Sequence, residues 1–217
     1  MSEETTYTFT TDTPLGKIQA AAGEKSLRGL WFIGQKYFPT NTTGWITRPD
    51  HPVFISLKIW LKDYFAKKKP EIEIHLSPIG SSFRQAVWKE LLKIPCGKTT
   101  TYGTIADRLV SRGIKASAQA VGGAVGHNPI SLLIPCHRVL GADGSLTGYA
   151  GGLDKKKALL ELEGINSERV GFEPTVPFRV HTTSNRAPSA ARSSLQKAEA
   201  FTPDFYSNAI IPFGEKM

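Results

Sequence analysis

Cys136 and His137 are adjacent in the run Ile134-Pro135-Cys136-His137-Arg138-Val139, and Asn128-Pro129 stands eight residues upstream of the cysteine. A thiol is a useful nucleophile only as thiolate, and a neighbouring base or cation raises the thiolate fraction near neutral pH. These residue types could therefore support nucleophilic chemistry at sulfur. Adjacency alone leaves two other readings open: an inert buried cysteine, which is the more common outcome, and a thiol hydrolase. A hydrolase would need an oxyanion hole and would turn over repeatedly. The other cysteine, Cys96, makes no disulfide framework with Cys136, and two cysteines fall short of a four-thiolate zinc site. Reduced thiols are the simplest reading.

The elements that must position this pair can be read from periodicity. Ile130, Leu132, Leu133 and Ile134 read as a strand broken by Pro135. Upstream, Ser82 reads as the cap of a helix carrying Phe83, Ala86, Val87 and Leu91, which Ile94-Pro95-Cys96-Gly97 ends. Tyr102 to Leu109 and Ala116 to Val125 are two short helical patterns joined by Ser111-Arg112-Gly113, which fits a helix-turn-helix. Downstream of the cysteine come a turn, Ala142-Asp143-Gly144, and a last helix from Leu153 to Glu163, closed by Gly164.

Residues 5–77 have a different character. Tyr7-Thr8-Phe9-Thr10 alternates, and the apolar stretches Gly16 to Ala22 and Leu27 to Phe32 are separated by a turn, as in an antiparallel meander. Pro39 to Pro52 reads as a loop. Val53, Leu57, Trp60, Leu61, Tyr64 and Phe65 then recur at helical spacing, up to Lys67-Lys68-Lys69-Pro70. Residues 167–217 are rich in Ser, Thr, Ala and Pro without a sustained period, and read as a largely disordered tail. The expected division is 1–77, 78–166 and 167–217, an α/β (α+β) organisation.

The chain of 217 residues carries a net charge of +8, of which the tail contributes only +1. A basic folded part suits an acidic partner, nucleic acid first, although charge alone leaves a basic protein without such a partner equally open. No apolar run approaches the ~20 residues that span a bilayer. The N-terminus, Met1-Ser2-Glu3-Glu4, has no signal-peptide pattern. A cytoplasmic protein that does not engage membranes is expected.

Residues 78–165 resemble the C-terminal domain of the methylated-DNA–protein-cysteine methyltransferases (alkylguanine-DNA alkyltransferases). The resemblance rests on Phe83-Arg84-Gln85-Ala86-Val87-Trp88, Ile94-Pro95-Cys96-Gly97, Thr101-Tyr102, Ala120-Val121-Gly122-Gly123-Ala124, Asn128-Pro129, Ile134 to Val139 and Tyr149-Ala150-Gly151-Gly152-Leu153. Residues 5–77 resemble the family's N-terminal domain in Pro14-Leu15-Gly16, Leu30-Trp31-Phe32 and Gln35-Lys36-Tyr37-Phe38-Pro39. It implies an N-terminal antiparallel-sheet, ribonuclease H-like domain and a mostly helical, winged-helix-like C-terminal domain.

The resemblance also implies DNA repair by direct transfer. An alkyl group on O6 of guanine, and on O4 of thymine, moves irreversibly to Cys136, so each molecule acts once. His137 would take the thiol proton through a water and Glu163 would hold the histidine. Tyr102 and the backbone N–H at Ala150 would stabilise the leaving base. The carbonyls of Cys136 and Val139 would select guanine, Tyr149 would line the pocket, and Gly151 would leave room for larger alkyl groups. Asn128 would brace the turn around the cysteine. No cofactor and no metal are implied, and a monomer is expected.

A base inside a duplex must be flipped out to meet a buried thiol, at a cost of a few kcal/mol. Ala116, Ala118, Ala120, Gly122 and Gly123 keep the second helix thin enough for the minor groove of double-stranded DNA, which is about 6 Å wide. Close packing on a neighbour would use the same small residues. Lys98, Arg108, Arg112 and Lys115 surround the motif as candidate phosphate contacts. Gln119 stands where the family places an arginine that fills the space of the flipped base, and it loses reach and charge. The competing readings are a helix-turn-helix regulator, whose reading helix should carry several Arg, Asn or Gln, and a non-catalytic alkyl-lesion binder, whose relatives lack the cysteine.

Overall fold

Alternation of apolar and polar residues builds the first sheet. In a computed structural model that describes residues 5–166, β1 (Tyr7–Thr11), β2 (Ile18–Ala22) and β3 (Leu27–Phe32) form the antiparallel meander. The Pro39–Pro52 stretch is not all loop. It contributes β4 (Ile46–Thr47), which pairs parallel with β1 and completes the order β3-β2-β1-β4. The sheet is therefore mixed rather than purely antiparallel. Two residues are too short for periodicity to reveal. Helix α1 (Pro52–Phe65) buries Val53, Leu57, Trp60, Leu61 and Tyr64 of the stripe its spacing predicts, with Phe54 added and Phe65 only partly buried.

The second half is helical. α2 (Ser82–Leu91) is capped by Ser81, whose side chain accepts the Arg84 N–H, so Ser82 is the first helical residue rather than the cap. Either serine satisfies a capping rule, and only the backbone angles choose between them. β5 (Thr100–Thr101) leads into α3 (Tyr102–Val110), capped by Thr101, and α4 (Ala118–Gly126) is capped by Ser117. A single 3₁₀ turn, Cys136–Arg138, runs into β6 (Val139–Leu140), which pairs parallel with β5, and α5 (Leu153–Leu162) closes the order.

Two segments dock on the free edge of β3. Leu27 bridges to Leu76, and Leu30 bridges to Ile130 through Leu30 N–H to Pro129 O and Ser131 N–H to Leu30 O, each 2.8 Å. This edge contact replaces the strand expected over 130–134. Beyond Ile130 the chain turns at once, and Leu132 takes a left-handed φ of 70°. One core runs through both halves, from Phe9, Phe32 and Leu57 to Val87, Trp88, Val125, Ile134 and Leu159. Each such buried side chain contributes about 1.5–3 kcal/mol. The expected disorder of 167–217 lies outside the described residues.

Candidate active site

The turn that follows Ile130 delivers Cys136, and Asn128 holds the turn. Its Nδ2 donates to Ile134 O at 2.8 Å, to Ile130 O at 3.2 Å and to the Cys136 sulfur at 3.1 Å, while its Oδ1 accepts the Ile130 N–H at 3.0 Å. Two amide hydrogens thus serve three acceptors. Asn128 does more than brace backbone: it touches the nucleophile. Cys136 is buried, and burial pushes its thiol pKa up, against the opposing pull of the Asn128 amide and the charge of Lys156. The resting sulfur is therefore a thiol at neutral pH.

His137 follows in the same 3₁₀ turn and is fully buried. Burial lowers its pKa, against the raising effect of the Glu163 carboxylate, so the ring is neutral. Its Nε2 lies 2.8 Å from Glu163 Oε1. With Nε2 donating to the carboxylate, Nδ1 is the basic nitrogen, and it is buried without a hydrogen-bond partner among the described residues. A thiol and a neutral imidazole with a free lone pair thus stand on consecutive residues of one turn.

Glu163 gathers groups from three parts of the chain. Arg138 donates from Nε to Oε2 and from a terminal nitrogen to Oε1, both at 2.8 Å, and from its other terminal nitrogen to Ile94 O. The Gly97 N–H reaches Oε2 at 3.3 Å and the Tyr64 hydroxyl donates to Oε1 at 2.8 Å. Burial would raise the carboxyl pKa, but the hydrogen bonds from His137 and Arg138 and the Arg138 charge win and hold it far below the usual range. Glu163 is a fixed anion. Gly97 has φ 77°, and a Cβ there would sit 3.2 Å from the Glu163 carbonyl, so the tight turn of Ile94–Gly97 around this carboxylate needs glycine.

Neither Arg138 nor Tyr64 was assigned a role from sequence. Arg138 was visible as part of the Pro-Cys-His-Arg motif. Tyr64 lies 99 residues from Glu163 and carried only a core-helix signal. Lys156 was missed as well. It reads as one of three consecutive lysines on the last helix, yet it is fully buried. Its Nζ donates to Val139 O at 2.5 Å and to Thr147 O at 2.6 Å, and burial lowers its pKa to about 8, with Cys136 pulling the other way. It ties the 147–152 loop to the strand that follows the cysteine.

The expected pocket residues converge here. The Tyr102 hydroxyl donates to the Thr147 and Gly148 carbonyls, at 3.0 and 3.2 Å. Tyr149 has a buried hydroxyl without a hydrogen-bond partner among the described residues. The Ala150 carbonyl accepts the Lys36 N–H at 3.0 Å, which pins the loop to the N-terminal half. A Cβ on Gly151 would lie 2.7 Å from the Tyr149 ring and 3.3 Å from Phe32, so the room at Gly151 is taken up in this structure by those two rings. The Val139 carbonyl keeps a second lone pair beside its bond to Lys156.

The helix-turn-helix packs α3 on α4, and Trp88 of α2 donates its indole N–H to Ala124 O at 2.9 Å. Val121, Ala124 and Val125 face inward, whereas Ala118, Gln119, Ala120 and Gly123 are exposed. Gly122 is half-buried near the Tyr102 ring, where a Cβ would make only ordinary contact at 3.8 Å. Close packing therefore does not account for the small residues of the outer face. Lys115 is exposed. Arg112 is half-exposed but paired with the buried Glu90, which also holds Lys93 at 2.7 Å. Its guanidinium is partly committed to fixing the turn.

Fold and site together define a helix-turn-helix protein with a buried thiol next to a carboxylate-bound histidine. Residues 82–165 match the model of the 6-O-methylguanine DNA methyltransferase DNA-binding domain, and residues 5–78 match its ribonuclease-like domain. The methylated-DNA–protein-cysteine methyltransferase of Mycobacterium tuberculosis is 46% identical over 154 residues, covering 71% of this chain and 90% of that protein. Its counterpart in Methanosarcina mazei is 41% identical over 153 residues, covering 70% and 94%. Among solved structures, the Mycobacterium tuberculosis OGT in complex with DNA superposes with a TM-score of 0.66 at 42% identity, covering 76% of this chain and 94% of that one. The Methanococcus jannaschii O6-methylguanine DNA methyltransferase gives 0.52 at 30% identity, covering 78% and 100%. The chain belongs to the 6-O-methylguanine DNA methyltransferase family.

Proposed function

We propose that this chain repairs DNA by moving an alkyl group from O6 of guanine, and from O4 of thymine, onto Cys136. His137 Nδ1 takes the thiol proton through a water. The thiolate attacks the alkyl carbon, an S–C bond forms, the C–O bond breaks, and its electron pair leaves with the base. Tyr102 exchanges its loop carbonyls for the ring nitrogen, and the Ala150 N–H faces the oxygen, so both donors meet charge as it develops. The Cys136 and Val139 carbonyls take the exocyclic amine beside Tyr149 and Gly151. The thioether is stable, and each chain acts once as a methylated-DNA–protein-cysteine methyltransferase.

The observation that carries this reading is the Asn128–Cys136 contact beside a neutral His137 held by Glu163. DNA would lie with its minor groove over the outer face of α4, with Ala118, Ala120 and Gly122 against the groove, Gln119 toward the flipped base's place, and Lys115 and Arg112 near phosphates. Residues 5–77 and 78–166 serve as scaffold and acceptor domains of a monomer that works in the cytoplasm. No helix among the described residues is long and apolar enough to cross a membrane. A regulator that reads base edges would need more than Gln119 on that helix.

Incubation with DNA holding one O6-methylguanine, followed by intact mass, tests the reading. The expected outcome is one methyl mass gained per chain, mapped to Cys136 and absent in Cys136→Ser. An unchanged protein mass with loss of the lesion would show hydrolysis instead.

A further inference from the structure

The Glu163 carboxylate has a partner that the alkyl-transfer reading does not use. Tyr64 comes from α1, in the N-terminal half, and is 4% exposed. Its ring stacks on Trp60 at 4.9 Å and 11° and meets Phe65 edge-on, so the hydroxyl has a fixed direction. It donates to Oε1, the oxygen that also receives His137 Nε2 and a terminal nitrogen of Arg138. Two clefts open behind this junction, one of about 400 Å³ and one of about 240 Å³, and Tyr64 and Cys96 line both. The ring therefore also walls the relay off from that side.

We propose that Tyr64 is a positioning residue for alkyl transfer: its hydroxyl takes up part of the Glu163 charge and so sets how strongly His137 holds a proton. The inference rests on the reading of Cys136 and His137 given above. Three donors share one carboxylate oxygen, and each lessens the negative charge the others meet. Without the hydroxyl, Glu163 presents more charge to His137, the imidazolium is stabilised, and the ring stays protonated to higher pH. A protonated His137 cannot accept the thiol proton, so transfer slows at low pH. The charged and titratable groups around this junction include Tyr64 on α1, Lys67 and Lys69 just after it, Cys96 at the Ile94–Gly97 turn, Cys136 and Arg138 in the 3₁₀ turn, Tyr149, and Lys156 and Glu161 on α5. Burial and the Glu163 charge keep the Tyr64 hydroxyl protonated throughout the working range, so it acts as a donor only.

The test is the second-order rate of alkyl transfer to Cys136 from a free O6-benzylguanine base, measured against pH for the full chain and for Tyr64→Phe. The free base removes DNA binding from the comparison. The expected result is an acid limb moved up by about half a pH unit, so that below the midpoint the variant falls to about a third of the wild-type rate at the same pH. Trp60→Phe, which loosens the stack but keeps the hydroxyl, should leave the midpoint in place. The His137 ring, followed by NMR in unreacted protein, should show the same upward move in Tyr64→Phe without relying on activity. Should that variant fail to fold, a ring-fluorinated tyrosine placed at 64 donates more strongly and should move the midpoint down. Wild-type midpoints in the rate and NMR profiles of a Tyr64 variant that still gains the alkyl mass would overturn the inference and leave the alkyl-transfer reading intact. No alkyl gain in the unaltered chain would instead overturn that reading.

Discussion

The Asn128 side-chain amide lies 3.1 Å from the Cys136 sulfur, and the same residue's carbonyl accepts the Ile130 N–H at 3.0 Å. One side chain thus fixes where the nucleophile sits and lowers the cost of ionising it. It also closes the turn that lets residues 129–131 dock on β3. Asn128→Ala would strand the buried Ile130 N–H and leave the Ile134 carbonyl with the Cys136 N–H alone. The expected loss is about 3 kcal/mol, or roughly 10 °C in Tm for a protein of this size, read by thermal unfolding. Asn128→Asp should fold better than the alanine variant yet transfer more slowly than wild type, because a carboxylate repels the forming thiolate.

Glu163 makes stability depend on pH in a definite direction. Its pKa in the folded protein is depressed below the unfolded value of about 4.3. The contribution to stability is therefore fully present above that value and fades as pH falls from there toward the folded pKa. Glu163→Gln should lose stability at pH 7, where it leaves Arg138 short of its partner. The gap from wild type should narrow below pH 4. Denaturant unfolding at pH 7, 5 and 3 measures this, and a constant gap would count against the assignment.

Lys156 also makes stability rise with pH, but in a higher window and because its charged form is the costly one. Its folded pKa of about 8 lies below the unfolded value of about 10.4. The penalty for charging the buried amine builds up as pH falls from 10.4 to 8 and is constant below that. Wild type should gain stability between pH 8 and 10 from this group, and Lys156→Met should not. The variant also removes the tie that Lys156 makes between the Val139 and Thr147 carbonyls, and loosening the loop that carries Tyr149 should slow alkyl transfer about tenfold or more. Stopped-flow transfer at pH 8 checks the second outcome.

Gln119 is exposed in the first turn of α4, so its replacement touches no core. Gln119→Arg should speed repair of a methylated duplex and leave the rate on a free alkylated base unchanged, since only the duplex needs its stack refilled. A longer cationic side chain should also steepen the salt dependence of duplex binding, by roughly one counterion. Equal duplex rates would show that the helix holds the flipped state open by another means.

The amino-acid order by itself determined the helices, the meander, the nucleophile and its adjacent base, because periodicity, caps and short motifs are local properties. It also marked Asn128, Tyr102 and Glu163 through the family pattern. What only tertiary structure decided is which distant groups meet. Tyr64 and Lys156 looked like a core aromatic and a solvated lysine, since a side chain's partner across 99 or 17 residues leaves no trace in local spacing. The left-handed Leu132, the two-residue β4 and the docking of Ile130 on β3 likewise arise from edge pairing between segments far apart in the chain. The charge state of the site belongs to the same class. Whether Cys136 rests as thiol and His137 as a neutral ring follows from their burial and from the donors gathered on Glu163, which exist only once the chain has folded.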